Sequence, residues 1–385
     1  MARMAQSPLR IGFNLAYLVE DSGGSGRYAR ELIPSLLAAE PGIEITAWVG
    51  STAPADLMAQ PWAEEVRWVR LPVPGVGTPW HLWYELVAIG LAARRRRLDL
   101  VHGLAYLVPL VHPGVASVVT ILDVIWLHHP EAAGKRFRAV MRTLTPLMGR
   151  TSDRVIAISE AARDDIAATL RLDPNKFDVT PLGVLPPAGA DGRADSEQVR
   201  ERLGLGPEPI VLCVAAKRAH KNLDGLIRAF ALLPDPPAQL VLPGSPNEYE
   251  RELRALAQSS GVWDRVHFPG WISEADLEDL FSAASCFVLP TFQEGFGLPV
   301  LEAMARGLPV ACSDIPVLTE LVGDAALLFD PHDPSSIAQA IARITHDRAL
   351  ASALVGRGSE RCRLFTWERT ARTTLASYRR ALDRG

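Results

Sequence analysis

The stretch that decides the fold begins with Cys286-Phe287-Val288-Leu289-Pro290 and continues with Glu294-Gly295-Phe296-Gly297-Leu298-Pro299-Val300-Leu301-Glu302. Its first part is short, apolar and rich in residues that favour β-structure, which predicts a strand. Residues 300–306 have a helical composition and end at Gly307, so we expect a helix that starts at Pro299. The stretch therefore predicts a strand, a tight turn and a helix.

The turn has the features of a phosphate receptor. Backbone N–H groups at a helix start have no helical partner, and the helix dipole places positive charge there. A carboxylate beside a diphosphate would be repelled, so Glu294 and Glu302 are expected to accept hydrogen bonds from hydroxyls instead. A ligand with a sugar, a diphosphate and a ribose, a nucleotide sugar, fits both expectations. The alternative is an ordinary turn with two solvated glutamates. The expected N–H donors are Gly295, Phe296, Gly297 and Leu298.

The same alternation of strand and helix runs through the chain, which predicts parallel sheets covered by helices. A segment rich in proline and glycine at residues 186–192 reads as a linker between two cycles. Each cycle predicts a doubly wound domain, and ligands bind such domains at the carboxyl ends of their strands, here in a cleft between the two. The predicted strands are 9–15, 43–49, 66–71, 100–102, 117–121, 155–158, 177–180, 210–215, 238–242, 266–268, 286–289, 309–312 and 326–329. The predicted helices are 27–39, 83–97, 222–233, 248–259, 273–284, one from 334 and 367–382.

Composition narrows the function further. A chain of 385 residues with 48% apolar content is long enough for two domains with their own cores. The net charge of -4 lacks the basic footprint that nucleic-acid binding requires, so small molecules or neutral polymers are the expected partners. The four cysteines are widely spaced and predict buried thiols in a reducing compartment. They are Cys213, Cys286, Cys312 and Cys362.

Targeting signals are absent from the sequence. The N-terminus has no apolar core of signal-peptide length, and no segment reaches the 18 or more apolar residues of a membrane span, so a cytoplasmic protein is expected. The predicted helix 83–97 ends in Arg94-Arg95-Arg96-Arg97 and could lie on an anionic membrane surface. A packed helix is the favoured interpretation, with Glu85 interrupting its apolar face. Peripheral contact at the inner face of the membrane stays open.

Several motifs together carry a family resemblance. The two glutamates of the 294–302 turn, followed by residues 303–310, resemble the donor-site signature of retaining glycosyltransferases of family 4, also called glycosyl transferases group 1. The further matches occur in the family's order and span nearly the whole chain. They are Gly23-Gly24-Ser25-Gly26-Arg27-Tyr28, Asp99-Leu100-Val101-His102, Val155-Ile156-Ala157-Ile158-Ser159-Glu160, Lys221-Asn222-Leu223 and Phe365-Thr366-Trp367-Glu368.

The resemblance implies an α/β fold of the GT-B type, with two Rossmann-like doubly wound domains and a cleft between them. Residues 1–190 would bind the acceptor and be completed by a C-terminal helix at about 366–385, whereas residues 191–365 would bind the donor. The implied reaction moves a sugar from a GDP-mannose-like, UDP- or dTDP-sugar to a hydroxyl of a glycan, a glycolipid or a secondary metabolite. Retention at the anomeric carbon, no metal and no cofactor are implied as well.

The resemblance also implies roles for residues of the second domain. Lys221 would neutralise the leaving diphosphate, while Glu294 orients the sugar and Glu302 holds the ribose. The family usually has Gly and Arg or Thr where Ala215 and Ala216 stand here. We therefore expect two nearby residues to replace the missing cation, although a solvated basic turn is the alternative. The replacements are Lys217 and Arg218, and Trp271 is expected near the base.

The first domain is expected to contribute a glycine-rich turn between its first strand and a helix beginning near Arg27. Gly24 would contact the donor, and the acceptor-side candidates are Gly26, Arg27, His102 and His128. The bland alternatives are tight packing for the glycines, a structural hydrogen bond for His102 and simple exposure for His128.

One departure from the family bears on activity. The family usually has His beside the reacting sugar where this chain has Leu122, whereas Asp123 is retained and is expected to be catalytic. The change fits a donor that lacks a hydroxyl, or a catalytically weak nucleotide-sugar-binding subunit that needs a partner. A GT-B sugar-nucleotide epimerase is a further alternative, because fold does not fix function. No metal-binding motif is visible, since Asp21 and Asp123 are isolated.

Overall fold

The computed structural model describes residues 8–19, 23–73, 78–187, 196–233 and 238–383. The chain divides into two compact units. The first comprises Met1–His128, Ala133–Gly183 and Trp367–Gly385, and the second comprises His129–Ala132 and Val184–Thr366. Most of the predicted linker, and the predicted boundary between residues 190 and 191, lie outside the described residues.

Each unit is built on one parallel sheet. The first sheet has the order β3-β2-β1-β4-β5-β6-β7 and the second the order β10-β9-β8-β11-β12-β13. All pairs of neighbouring strands in both sheets are parallel. The strands are β1 (Arg10–Leu15), β2 (Glu44–Val49), β3 (Val66–Arg70), β4 (Leu100–Gly103), β5 (Ala116–Thr120), β6 (Arg154–Ala157), β7 (Phe177–Val179), β8 (Ile210–Leu212), β9 (Gln239–Val241), β10 (Val266–His267), β11 (Cys286–Leu289), β12 (Val310–Ser313) and β13 (Leu327–Phe329).

Helices connect most consecutive strands and cover the sheets, which makes the central strands apolar over their whole length rather than alternating. Every residue of β5 and of β11 is buried for this reason. The helices are α1 (Gly23–Ala39), α2 (Pro79–Trp83), α3 (Ile89–Arg95), α4 (Ile125–His128), α5 (Lys135–Thr151), α6 (Glu160–Leu170), α7 (Ser196–Leu203), α8 (Leu223–Ala231), α9 (Glu248–Ser259), α10 (Glu274–Ala283), α11 (Leu298–Ala305), α12 (Pro316–Val322), α13 (Pro334–His346), α14 (Arg348–Cys362) and α15 (Trp367–Leu382).

Two predicted helices begin four residues earlier in the structure. Helix α1 begins at Gly23 rather than near Arg27, so the glycine-rich segment forms the first turn of the helix and not a loop before it. The helix predicted at 83–97 begins at Pro79, because the Thr78 side chain accepts a hydrogen bond from the His81 N–H and caps it. A π-helical turn at Tyr84–Ala88 joins α2 to α3.

The C-terminal helix α15 belongs to the first unit. Its Trp367 ring stacks on Tyr28 of α1 with ring centroids 6.4 Å apart. Ser377 and Arg380 bind the carboxylate of Asp178 in β7 at 2.7 and 2.8 Å. The end of the chain is thus part of the core of the first unit. Among the described residues, no helix has both the length and the apolar composition that a membrane crossing requires.

His102 joins the first sheet to this helix. The side chain is fully buried at β4, and its Nδ1 and Nε2 lie 2.7 Å from Tyr378 Oη and 2.8 Å from Thr120 Oγ1. Burial lowers the pKa of His102 to about 3, so the imidazole is neutral in the folded unit. The predicted acceptor-side candidate is therefore enclosed, as the alternative of a structural hydrogen bond requires.

The buried imidazole predicts a pH dependence of stability. The unfolded chain binds a proton at His102 below about pH 6.5 and the folded unit does not, so the stability held above that pH is lost as the pH falls towards 3. We expect His102 to contribute a slope of roughly 1.4 kcal/mol per pH unit in that window. Urea unfolding at several pH values should show a shallower slope for His102→Gln. His346→Gln, at an exposed position, serves as the control, and equal slopes for wild type and His102→Gln would contradict the assignment.

Candidate functional site

The candidate site lies where the strand order of the second sheet reverses. Strands β8 and β11 are neighbours, and the chain leaves them towards opposite edges of the sheet. The turns after their carboxyl ends therefore diverge and leave a crevice, the usual ligand position in such sheets. Residues 213–222 form the first turn and residues 290–297 the second. Both contain residues that the sequence analysis singles out.

Hydrogen bonds tie these two turns together. The His220 carbonyl accepts bonds from Thr291 Oγ1 at 3.0 Å and from the Phe292 N–H at 2.8 Å. Asn222, in the left-handed conformation with φ of 54°, donates its side-chain amide to the carbonyls of Pro290 and Pro331 at 3.0 and 2.7 Å. The Asn222 side chain thus joins the two turns and does not cap α8.

These hydrogen bonds between the two turns place Lys221 next to Glu294. The Lys221 Nζ lies 2.5 Å from Glu294 Oε1, and the two side chains are only 15% and 11% exposed. Cys213, at the end of β8, is close enough to be influenced by both: burial raises the pKa of its thiol to about 12, Lys221 opposes this and Glu294 adds to it. A lysine and a glutamate that the sequence predicts at the donor site thus meet at one point, where both are largely buried.

Lys217 is used differently. Its side chain is fully buried, with Nζ 3.1 Å from Glu250 Oε2, and it donates to the Gly244 carbonyl. Burial lowers the pKa of Lys217, and Glu250 opposes that shift. Arg254 also binds Glu250, at 2.7 Å. In this arrangement Lys217 fixes the turns after β8 and β9, and its role as a donor contact stays a prediction.

The other predicted residues of the second unit surround this pair. Arg218 donates to the carbonyl of Ala132, which belongs to the same unit. Trp271 is 71% exposed, and its neighbour Gly270 accepts a hydrogen bond from the Gly244 N–H at 2.8 Å. The loop that carries Trp271 is thereby attached to the turn that holds Lys217.

Helix α11 begins at Leu298, one residue before the predicted start. Gly297 precedes it with φ of 95°, and a Cβ placed there would lie 2.5 Å from Leu318 Cδ2. The buried Phe296 packs on Phe365 with ring centroids 6.0 Å apart. Gly295 is buried in the turn that precedes α11, and Glu302 is buried in the second turn of the helix itself. The strand, turn and helix that the sequence predicts are all present.

The predicted residues of the first unit are held by several different contacts. Asp123 Oδ1 accepts the Ile125 N–H at 3.0 Å and caps α4, while burial and then Asp123 raise the pKa of Tyr106 well above its ordinary value. His128 Nε2 lies 2.9 Å from Asp165 Oδ1 on α6. The remaining candidates lie on α1, where Gly24 is exposed, Gly26 buried and Arg27 half-buried.

Comparison with known proteins identifies the family. Residues 22–186 match the family model described as Glycosyltransferase Family 4, and residues 195–361 match Glycosyl transferases group 1. A D-inositol 3-phosphate glycosyltransferase of Actinosynnema mirum is 32% identical over 289 residues, or 72% of this chain and 68% of the relative. The chain belongs to glycosyltransferase family 4.

Two further proteins are similar to this glycosyltransferase, one in sequence and one in fold. The O-antigen chain mannosyltransferase B of Escherichia coli is 28% identical over 282 residues, which cover 72% of this chain and 73% of the relative. The solved structure of sucrose-phosphate synthase from Thermosynechococcus elongatus matches with a TM-score of 0.75 at 25% identity, covering 96% of this chain and 98% of that one. The expected GT-B fold, with two Rossmann-like domains, and the expected transferase activity on a nucleotide sugar are confirmed.

Sequence reasoning missed three residues that hold the turns of the candidate site in place. His220 is buried beside Lys221, and burial followed by its positive neighbours lowers its pKa to about 3, so the ring is neutral. Its Nδ1 has no hydrogen-bond partner among the described residues. Glu250 and Thr291 are the other two. A buried lysine needs an acid, but only the fold shows which acid is near. Within the same described ranges, no three His, Cys, Asp or Glu side chains are grouped so as to hold a metal.

Gly297 provides a test of the turn. We expect Gly297→Ala to lower the free energy of unfolding by roughly 2–5 kcal/mol, because a left-handed alanine costs about 1–2 and overpacking against Leu318 adds about 1–3. Gly261→Ala is the matched control, since Gly261 has φ of 71° and no neighbour within 4 Å of the added Cβ. Urea unfolding measures both. Equal losses would show that α11 does not need the close approach at Gly297.

Proposed function

We propose that this glycosyltransferase is a retaining, metal-independent enzyme that takes its sugar from a nucleoside-diphosphate sugar. The Lys221–Glu294 pair at the sheet's switch point carries the proposal. In the absence of ligand each charge satisfies the other, which removes the cost of holding either alone in a site so little exposed. A donor replaces both contacts at once: its diphosphate takes the cation, and its sugar hydroxyls take the carboxylate.

The proposed step needs no covalent enzyme intermediate. The bond between the anomeric carbon and the diphosphate oxygen breaks, and an acceptor oxygen bonds to that carbon on the same face. The acceptor's proton passes to an oxygen of the departing diphosphate. Lys221 and the N–H groups of residues 295–298 stabilise the charge that develops on the leaving group, which is the work a metal does in other transferases. Glu294 orients the sugar, Glu302 binds the ribose, and Trp271 lies near the base.

The names of the relatives favour a mannose donor and a glycan or small-molecule acceptor. The Escherichia coli relative is named as a mannosyltransferase of an O-antigen chain. The Actinosynnema mirum relative is named for a small phosphorylated acceptor, inositol 3-phosphate. We propose GDP-mannose as the first donor to test. Leu122, where the family usually has His, makes a deoxysugar the second.

Glu294→Ala tests the pair. Removing a group that acts on the transition state costs roughly 100- to 1000-fold in kcat, so we expect a loss of that size when the rate is measured well below the melting temperature of the variant. The melting temperature itself should fall, because Lys221 loses its partner in a site that is only slightly exposed. The control is Glu248→Ala in the same unit, where the side chain is 94% exposed and only pairs with Arg251. An undiminished rate in the Glu294 variant would remove it from the site.

Donor class can be measured by thermal shift with UDP-, GDP- and dTDP-sugars. A donor at 100 times its dissociation constant adds about 2.7 kcal/mol to the stability of the protein. We expect one nucleotide class to raise the melting temperature and Glu302→Gln to reduce that shift, because the ribose contact is weakened. A shift that Glu302→Gln leaves intact would place the ribose elsewhere.

The same preparations separate the alternatives. NMR of the product should show the anomeric configuration of the donor, and excess EDTA should leave the rate unchanged. Inversion or EDTA sensitivity would contradict the proposed mechanism. Donor binding without turnover on any acceptor would indicate a subunit that needs a partner, and conversion of the donor without acceptor would indicate an epimerase.

A further inference from the structure

The helical segment from α2 to α3 in the first unit carries large apolar side chains on its outer surface. Trp80 is 63% exposed and Trp83 is 46% exposed, and their rings meet edge to face at 6.3 Å. Leu91 is exposed further along the same segment. Tryptophan is rarely left in water on a surface that has no partner, so such a group of exposed apolar residues marks an interaction site.

The inner side of the segment is packed, so the exposed residues do not reflect a loose helix. His81, Ile89 and Ala93 are buried, and Glu85 is buried with them. Glu85 lies 3.0 Å from His81 Nε2 and accepts a hydrogen bond from Asn14 Nδ2 at 3.2 Å. Glu85 thus interrupts the apolar packed face, as expected, and its carboxylate is paired there.

A second segment extends the exposed surface. At Gly90 a Cβ would lie 2.0 Å from the Val111 carbonyl oxygen, so the backbone of residues 109–111 rests directly on the helix. Val111 itself is 42% exposed. Arg94 donates to the Pro113 carbonyl at 2.8 Å and so closes the end of this contact. We call the exposed residues Trp80, Trp83, Leu91 and Val111, with Arg94 and Arg95, the tryptophan–arginine surface.

The charge of this surface has one sign. Arg94 and Arg95 are both exposed at the end of α3. The only acidic residue of Pro79–Arg95 is Glu85, which is buried, and residues 109–115 contain none. The outer side of the segment thus combines indole rings with two arginines that form no ion pair with any residue that the structure describes.

We propose that the tryptophan–arginine surface docks the enzyme on an anionic lipid bilayer. Indole rings prefer the boundary between lipid head groups and acyl chains, and arginine binds lipid phosphates. A helix with tryptophan on one face and basic residues at its end lies in the plane of that boundary. The inference goes beyond the proposed function, because it concerns neither the donor site nor the transfer step.

The size of the surface favours a bilayer over a protein partner. Four partly exposed apolar side chains offer on the order of a few hundred Å². A stable protein complex buries about 800 Å² on each partner. A bilayer has no such minimum, since each inserted ring and each arginine near the head groups adds independently to affinity.

Vesicle flotation with the full chain tests the proposal. Vesicles of phosphatidylcholine alone are compared with vesicles that also contain phosphatidylglycerol. We expect binding to the anionic vesicles, and a loss of roughly tenfold or more in affinity for both Trp80→Ser/Trp83→Ser and Arg94→Gln/Arg95→Gln. Trp271→Ser removes an equally exposed indole from the second unit and should bind like the wild type.

The controls make each outcome decisive. The substituted side chains are exposed, and unchanged melting temperatures would verify that the variants fold. Brominated lipid should quench tryptophan fluorescence in the wild type and much less in Trp80→Ser/Trp83→Ser. Equal binding to both kinds of vesicle, equal binding by all variants, or no binding would overturn the proposal. Self-association of the wild type that the tryptophan variant abolishes would assign the surface to a second copy of the chain instead.

Discussion

The hydrogen bonds that join the turn after β8 to the turn after β11 are the constraint on which the candidate site depends. Two donors share the His220 carbonyl, and the Asn222 amide bridges to Pro290 and Pro331. These bonds involve backbone and buried amide groups, so they cannot be exchanged for water without cost. Lys221, next to His220 in the chain, is consequently held where Glu294 can meet it. The ion pair therefore follows from the hydrogen bonds between the two turns.

The sequence predicts the outline of this site for a physical reason. Strand, tight turn and helix each have a local signature, and the glycine-bracketed turn leaves little freedom for the backbone, so α11 begins within one residue of the expected position. Parallel strands also bring their carboxyl ends to one edge, which places two distant turns together. The partners of Lys217 have no such signature. Glu250 stands near it only because α9 packs beside the turn after β8.

The first unit shows the same limit. Helix propensity does not predict the start of α1, because glycine disfavours a helix and yet glycines form the first turn of this one. The burial of Glu85 depends on Asn14, in a strand far away in sequence. His102 lies in a strand, which ends one residue later than predicted, and Tyr378 in the last helix supplies one of its two hydrogen-bond partners. In each case the local pattern indicates the residue, whereas a long-range contact decides what it does.

The basic residues of the turn after β8 have different partners, and this difference bears on the proposed chemistry. Lys217 is compensated by Glu250 and Arg218 is bound to a carbonyl, so of these three residues Lys221 alone stands against a carboxylate that the donor's sugar can take over. One ammonium cannot balance the two charges of a departing diphosphate. The remainder falls to the turn before α11, where backbone N–H groups and the helix dipole supply partial positive charge. In the proposed mechanism, the transfer step would therefore depend as much on the backbone conformation at Gly297 as on any charged side chain.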